Sequence, residues 1–375
     1  MTRAPVVLDV RTASARYPGI GRYTTGLARA LADDPHARGV MLLHGPCPDA
    51  RLPLSVLPGI VCRASPFDLR QQWEVRRTLR QSGARLYHSP YYLMPFAPGV
   101  RTVVTCYDLI PLTVPGLFGP GRRLAFRVAH ALAFRAASAI IVPSRSTRDD
   151  VSRLFPTHAT KVEVVPIGWE FPPAPAGADD RDLRRRLGVP DEFVLSVGSN
   201  KPHKNLRVLV EAWSQVTERA RDGAAPLPLV LAGPRDARFD EGGAAADALR
   251  RAGRLLSVGA VPDAALAALY RGATLFVFPS IAEGFGLPVI EAMGHGAPVV
   301  CSRIRPLLEL TGGAAALFDP NDAGALATLL ERMLASPADR DRLSEAGLAR
   351  AAAFTWERAA RMTTTLYGRI LGEQS

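Results

Sequence analysis

The 375-residue sequence predicts an α/β protein built from two parallel-sheet units, on three observations. Short apolar runs bounded by turn residues alternate with stretches of helical periodicity, the pattern of parallel sheets covered by helices. With 47% apolar residues, the chain is long enough to bury two cores. Between the two series lies Phe171-Pro172-Pro173-Ala174-Pro175-Ala176-Gly177-Ala178, which can continue neither a helix nor an inner strand and reads as a linker.

The first series starts with Val6 to Val10, a short β-branched strand, and Arg22 to Ala32, whose apolar spacing is helical. Val40 to His44 is the next strand and Leu69 to Ser82 the next helix, with further strands at Leu86 to His88, Thr102 to Cys106, Ala139 to Pro143 and Val162 to Pro166. Gly121 to Arg135 reads as an amphipathic helix, with Arg123, Arg127 and His130 on one side and Leu124, Val128 and Leu132 on another. The second series runs through strands at Phe193 to Gly198, Leu227 to Ala232, Leu255 to Gly259, Leu275 to Phe278 and Val299 to Ser302. Phe354 to Leu371 closes the chain as a helix. The expected division is a first domain over 1–170, a linker over 171–190 and a second domain over 191–354.

Charge is divided unevenly. From Met1 to Gly168 there are 22 Lys+Arg against 10 Asp+Glu, a balance of +12, while the remainder has 24 against 25. An anionic partner for the first half follows: a membrane surface, a lipid phosphate or a nucleic acid. The nucleic-acid reading lacks interleaved aromatic platforms in that half. No apolar run approaches the ~18 residues of a membrane span. The start lacks a secretory pattern, and Cys47, Cys62, Cys106 and Cys301 have no paired or metal-ligand spacing, so a reducing cytoplasm is expected.

Four constellations carry chemistry. Pro279 to Met293 places Glu283 and Glu291 eight positions apart across the turn Gly284-Phe285-Gly286-Leu287, between the strand ending at Phe278 and a helix opened by Pro288. Glu283 is expected in the loop and Glu291 in the first helical turn. Amides near Gly286, Leu287 and Val289 then offer an anion a positive dipole end. The loop Gly198-Ser199-Asn200-Lys201-Pro202-His203-Lys204-Asn205 holds two of the chain's three lysines, and a compact ammonium suits a diphosphate. Pro18-Gly19-Ile20-Gly21-Arg22-Tyr23 opens a helix where Gly19 and Gly21 let backbone approach a phosphate; it lacks the full dinucleotide fingerprint. Thr105-Cys106-Tyr107-Asp108 stands at a strand end. Asp180-Arg181-Asp182 and Asp339-Arg340-Asp341 resemble a metal-binding D-x-D, but beside arginine-rich helix starts they read as capping. His295 reads as a helix end.

The Glu283 to Glu291 segment resembles the E-x7-E region of retaining glycosyltransferases with the GT-B fold, in glycosyltransferase family 4. Asp9 to Leu31, Pro66 to Pro115, Gly198 to Asn205 and Val258 to Pro320 resemble it too. The resemblance implies two Rossmann-like domains facing a central cleft, an acceptor held mainly by the first and a nucleoside-diphosphate sugar by the second. It implies that the last helix crosses back onto the first domain. Lys204 is implied as the diphosphate ligand, Glu283 as holding sugar hydroxyls and Glu291 the ribose, with Gly19, Gly21, Ser199, Asn200, Val261, Gly284, Phe285, Gly286 and Leu287 around the donor. Glu309 is read either as part of this pocket or as a surface acid.

Two departures stand out. Ser199 replaces an arginine common in the family just after the glycine, which shifts diphosphate binding toward Lys204 and backbone donors. Tyr107 replaces a histidine used near the donor sugar. A tyrosine hydroxyl can hydrogen-bond a sugar but is a poor base near neutral pH. A catalytic part for Tyr107 and Asp108 is set against Asp108 simply bracing the strand end.

The expected function is retaining transfer of a hexose to an acceptor hydroxyl, with neither metal nor resident cofactor. The GIGRY opening and the KPHKN loop point to mannose from GDP-mannose. The acceptor is expected to be a lipid-linked sugar, a glycan or a small-molecule aglycone, and no nucleic acid is expected. The place of action is the cytoplasm, at the inner face of the membrane. The alternatives are a UDP-sugar-dependent enzyme acting on a soluble aglycone, an epimerase on the same fold, and a basic nucleic-acid-binding protein.

Overall fold

A computed structural model describes residues 5–13, 18–37, 39–170, 179–220 and 227–373. The chain forms two compact units, Met1–Gly168 with Phe354–Ser375, and Trp169–Ala353.

The first unit is a seven-stranded sheet: β1 (Val6–Asp9), β2 (Val40–His44), β3 (Gly59–Val61), β4 (Leu86–Ser89), β5 (Arg101–Thr105), β6 (Ala139–Val142) and β7 (Val162–Val164), in the order β3-β2-β1-β4-β5-β6-β7. Every pairing is parallel, with Val6 opposite Val40 on one side and Leu86 on the other. β1, β4 and β6 are buried along their whole length, as strands covered by helices on both faces must be. The last helix, Trp356–Leu371, belongs to this unit. Trp356 lies so close to Gly26 that a Cβ there would meet its ring at 2.2 Å. Farther along, the Tyr367 hydroxyl bonds His88 Nδ1 at 2.6 Å, and Thr364 Oγ1 donates to Asp34 at 3.1 Å.

The second unit is a six-stranded parallel sheet: β8 (Val194–Val197), β9 (Leu229–Ala232), β10 (Leu255–Gly259), β11 (Leu275–Phe278), β12 (Val299–Ser302) and β13 (Ala316–Phe318), in the order β10-β9-β8-β11-β12-β13. Its core gathers Val194, Trp213, Leu229, Leu275 and Leu326. In both sheets the strand order reverses once, between β1 and β4 and between β8 and β11. The carboxyl ends of strands at such a switch point are where α/β proteins leave a crevice for ligands.

Three sequence expectations change here. Within the presumed linker over 171–190, Phe171–Ala178 lies outside the described residues. The remainder carries the helix Asp180–Arg186, held to the helix Asp263–Gly272 by Arg184 donating to Ala268 O at 3.2 Å and by Arg271 pairing with Asp180 at 2.5 Å. The helix start expected at Asp180-Arg181-Asp182 is thus packed onto the second unit and is not part of a linker.

The amphipathic helix Pro120–Ala136 is turned over. His130 is buried, stacked on Tyr92 at 4.0 Å between ring centroids. Leu124, Val128 and Leu132 are instead exposed, at 64%, 48% and 37%. Burial pushes His130 down to about 4 against its backbone bond to Phe126, so it adds no positive charge near neutral pH. The first helix begins at Pro18 rather than Arg22, which places Gly19 and Gly21 in its first turn and not in a loop before it.

Candidate active site

The loops after β8 and β11 leave the sheet on either side of the switch point of the second unit. The loop after β8 runs through a short 3-10 turn, Pro202–Lys204, and ends at Asn205, which takes a left-handed conformation (φ 56°) just before the helix Leu206–Arg219. Asparagine is among the few non-glycine residues that visit that region readily. Asn205 Nδ2 donates to Pro279 O at 3.1 Å and Pro320 O at 2.7 Å, tying this loop to the segments that follow β11 and β13.

That tether sets the central contact. Lys204 Nζ donates to Glu283 Oε1 at 2.6 Å and lies 5.1 Å from the centroid of the Phe278 ring. The two side chains are 18% and 10% exposed, half-sheltered but within reach of a ligand from solvent. Lys204 and Glu283 were expected to act on different parts of a donor; the structure joins them as an ion pair.

Glu283 leads into Gly284, Phe285 and Gly286, all buried. Gly286 has φ 102°, and a Cβ there would meet Leu307 Cδ2 at 2.5 Å, so both backbone and packing require glycine where the helix Leu287–Gly294 begins. Expectation and structure differ over the amides there. Val289 N donates to Gly286 O at 2.9 Å and Pro288 has no N–H, so Val289 is not available to an anion.

Glu291 is the fifth residue of this helix, one turn later than expected. It is 3% exposed and accepts the Tyr270 hydroxyl at 2.9 Å. Tyr270 in turn stacks on His295, with centroids 5.6 Å apart. The structure therefore holds Glu291 firmly, whereas Glu283 stands at the more open end of the segment.

Asn200 also departs from its expected place facing a ligand. Its Nδ2 donates to Asp236 O at 2.9 Å and Phe239 O at 2.7 Å, and its Oδ1 accepts Asp236 N at 2.7 Å. Fully used in this way, it braces the loop after β8 against the loop after β9. The same two loops touch where a Cβ on Gly233 would meet Gly198 O at 2.2 Å. Ser199 and Val261 are half-buried, at the ends of β8 and β10.

Between these ends lies a cavity of about 150 Å³, lined among others by Gly198, Gly233, Arg235, Glu241, Ser257 and Gly259. Glu241 inside it pairs with Arg250 and lies 3.7 Å from Arg235. Sequence reasoning passed over this group, though the Gly233-Pro234-Arg235 turn at a strand end was a signal. It also passed over His203, whose buried Nδ1 has no hydrogen bond among the described residues. Burial first, then the neighbouring Lys204 charge, pushes His203 down to about 4.

The remaining expected residues lie in the first unit. A Cβ on Gly19 would meet nothing within 4 Å, so packing does not require glycine there, while Gly21 is buried in the same turn. Tyr107 sets its ring edge-on to Tyr23 at 5.2 Å. Its enclosed hydroxyl has no hydrogen bond of normal geometry among the described residues, although Thr24 lies close enough to influence its titration. Burial raises Tyr107 well above its ordinary range, so it is no base at neutral pH. Asp108 Oδ1 accepts the Ile110 amide at 3.0 Å, the bracing part that was its alternative. Asp179 and Ser336 cap the helices at the two D-x-D triplets.

Two Rossmann-like parallel sheets, each with a cation–carboxylate pair at its switch point, define a protein of the GT-B class. A family model described as Glycosyl transferases group 1 matches residues 179–350, and one described as Glycosyltransferase Family 4 matches residues 17–170. The O-antigen chain mannosyltransferase B of Escherichia coli is 29% identical over 381 residues, covering 95% of this chain and 98% of that protein. Sucrose-phosphate synthase of Thermosynechococcus elongatus shares the fold with a TM-score of 0.74 at 23% identity, over 99% of this chain and 100% of its own. Anabaena HepE, solved in complex with UDP and glucose, gives 0.74 at 19% identity, over 98% and 100%. The chain belongs to glycosyltransferase family 4 and is a hexosyltransferase with the GT-B fold.

Proposed function

We propose that the protein transfers mannose from GDP-mannose, with retention, to a hydroxyl of a lipid-linked or polysaccharide acceptor. The observation that carries this reading is the Lys204–Glu283 pair at the switch point of the second unit. A diphosphate arriving there exchanges one anionic partner of Lys204 for another, and the freed Glu283 carboxylate accepts hydroxyls of the sugar. Charge-assisted bonds of this kind are worth roughly 1.5–3 kcal/mol each. The name of the Escherichia coli relative supports mannose, and with it GDP-mannose.

In the proposed reaction the bond from the anomeric carbon to the diphosphate oxygen breaks as Lys204 and backbone amides take up the charge of the leaving group. The acceptor oxygen bonds the same face of that carbon, and its proton passes to the departing phosphate oxygen. No strong base is required, in keeping with the high position of Tyr107. Glu291, fixed by Tyr270, holds the ribose, and Val261 with the neighbouring cavity takes the base. The reaction needs no metal, and the enzyme acts in the cytoplasm at the inner face of the membrane. Thermal-shift measurements with GDP, UDP, ADP and dTDP test the donor: the largest stabilisation is expected from GDP, and preference for UDP would move the reading to the UDP-sugar alternative.

A further inference from the structure

The cavity at the ends of β8, β9 and β10 has a stretch of bare backbone and a polar wall. Gly198, Gly233 and Gly259 stand at the ends of the three strands in turn, and Gly233 N donates to Gly259 O at 2.7 Å. Without side chains at these positions, a flat ring can lie against the backbone. A Cβ on Gly198 would meet Lys204 Cδ at 3.7 Å, so the stem of the proposed diphosphate ligand borders the same cavity.

The polar wall is unevenly occupied. Asn200 reaches it, but its amide is used by Asp236 and Phe239. Glu241 is 5% exposed, and its Oε2 accepts Arg250 Nη2 and the Ser257 hydroxyl, the latter at 3.4 Å. Its Oε1 accepts no hydrogen bond among the described residues; Arg235 Nε stands 3.7 Å away, attracted by charge but beyond bonding distance. Fastening the loop after β9 explains Oε2. It leaves Oε1, a buried carboxylate oxygen, with open acceptor positions of the kind that protein interiors ordinarily fill.

Base chemistry identifies what fills them. The Watson–Crick edge of guanine carries two adjacent donors, N1–H and the 2-amino group, and then the acceptor O6. A carboxylate only accepts and a guanidinium only donates, so Glu241 Oε1 with Arg235 beside it matches that order. Uracil and thymine offer one donor, N3–H, and set the carbonyl O2 against the carboxylate where guanine has its amino group. Adenine presents an unprotonated N1 there.

We infer that Glu241 selects the base of the donor: its Oε1 accepts from N1–H and the 2-amino group of guanine, while Arg235 donates to O6. The inference rests on the proposed nucleotide donor and deepens it, from a base held in the cavity to guanine read by two side chains.

Calorimetric titration of the full chain with GDP, UDP and inosine diphosphate, which lacks only the 2-amino group of GDP, tests it. The parent is expected to bind GDP at least tenfold more tightly than inosine diphosphate, because a buried acceptor left unpaired penalises the analogue. In Glu241→Gln, Arg250 keeps the amide oxygen and the NH2 turns to the base. The preference for GDP over inosine diphosphate should then shrink to within about threefold, and that over UDP should fall with it. Arg235→Ala changes an exposed side chain and should weaken GDP and inosine diphosphate alike, keeping their ratio, because both carry O6. Each ratio is taken within one protein, so a loosened loop after β9 would lower all affinities together and leave the ratios as in the parent. A parent that prefers GDP to UDP yet binds inosine diphosphate equally well overturns the inference and keeps the GDP-mannose reading, as does a Glu241→Gln variant with the parent's ratio. A parent that prefers UDP contradicts both. Should Glu241→Gln fail to fold, the parent's ratio and Arg235→Ala still decide.

Discussion

Each unit carries a cation–carboxylate pair where its strand order reverses: Asp9 with Arg11 after β1, and Lys204 with Glu283 across the loops after β8 and β11. The first pair is two residues apart in sequence and almost wholly buried, at 5% and 2% side-chain exposure. Tyr87 donates to Asp9 at 2.6 Å and Arg11 to Ala64 O at 2.8 Å, so both charges are also satisfied by neighbours. Burial alone would lower Arg11, but Asp9 beside it outweighs this and raises it. The second pair joins residues 79 apart and keeps a solvent-facing side. The same position in a Rossmann-like sheet thus holds a closed rivet in one unit and, in the reaction proposed above, a binding group in the other. What separates the two pairs is their exposure.

The largest effect should come from breaking the rivet. Asp9→Asn leaves the Arg11 charge buried without its counter-ion, a change that costs about 3–5 kcal/mol. Urea unfolding followed by circular dichroism should show that loss. A change under about 1 kcal/mol would remove the contrast between the pairs.

Lys204→Ala should do the reverse, lowering turnover more than tenfold, at least ~1.5 kcal/mol in the transition state, with little change in unfolding midpoint. Transfer assays scored beside melting curves check this, and activity within twofold of the parent contradicts it.

The two glutamates sharpen the comparison inside the second unit. Glu283→Gln should reduce the rate more than nucleotide affinity, whereas Glu291→Gln should chiefly loosen the nucleotide and, by disturbing Tyr270, lower stability by about 1 kcal/mol. Equal losses of GDP affinity in the two variants would refute the division of roles.

The smallest effect is on pH. His88 and His130 are neutral in the folded first unit, pushed down by burial to about 3 and about 4. The unfolded chain takes up these protons first, near pH 6.5. Their contribution to stability is therefore complete above that pH and is lost as pH falls toward 4. His130→Phe keeps a ring against Tyr92 and should make the acid limb of the stability curve shallower by about one proton; an unchanged slope would show that His130 is not the group titrating.

Much of this arrangement is legible in sequence where one local pattern decides it. The strands at Val6, Leu86, Ala139 and Leu275 are buried on both faces, so their apolar runs leave no alternative period. Lys204 stands out as one of three lysines in the chain, and Glu283 by its spacing from Glu291 across a glycine-flanked turn at a strand end. Tertiary partners decided the rest. Nothing near Asn200 announces that Asp236 and Phe239 will use its whole amide, and nothing near Glu283 shows that Lys204, 79 residues away, will lie against it. The Pro120–Ala136 helix was legible as amphipathic, but which side faces the protein depended on Tyr92 and Phe134 gathering His130 into the core. That the helix Asp180–Arg186 packs onto the second unit was not legible, because its partners, Ala268 and Arg271, lie on a distant helix.

The most direct test of the central claim is calorimetric titration of GDP into the parent, Lys204→Ala and Asp9→Asn at a temperature where all three are folded. The parent and Asp9→Asn are expected to bind GDP with affinities within about threefold of each other, and Lys204→Ala at least tenfold more weakly, the equivalent of ~1.4 kcal/mol or more. Undiminished GDP binding by Lys204→Ala, or an equal loss in Asp9→Asn, would contradict the assignment of the Lys204–Glu283 pair as the binding group.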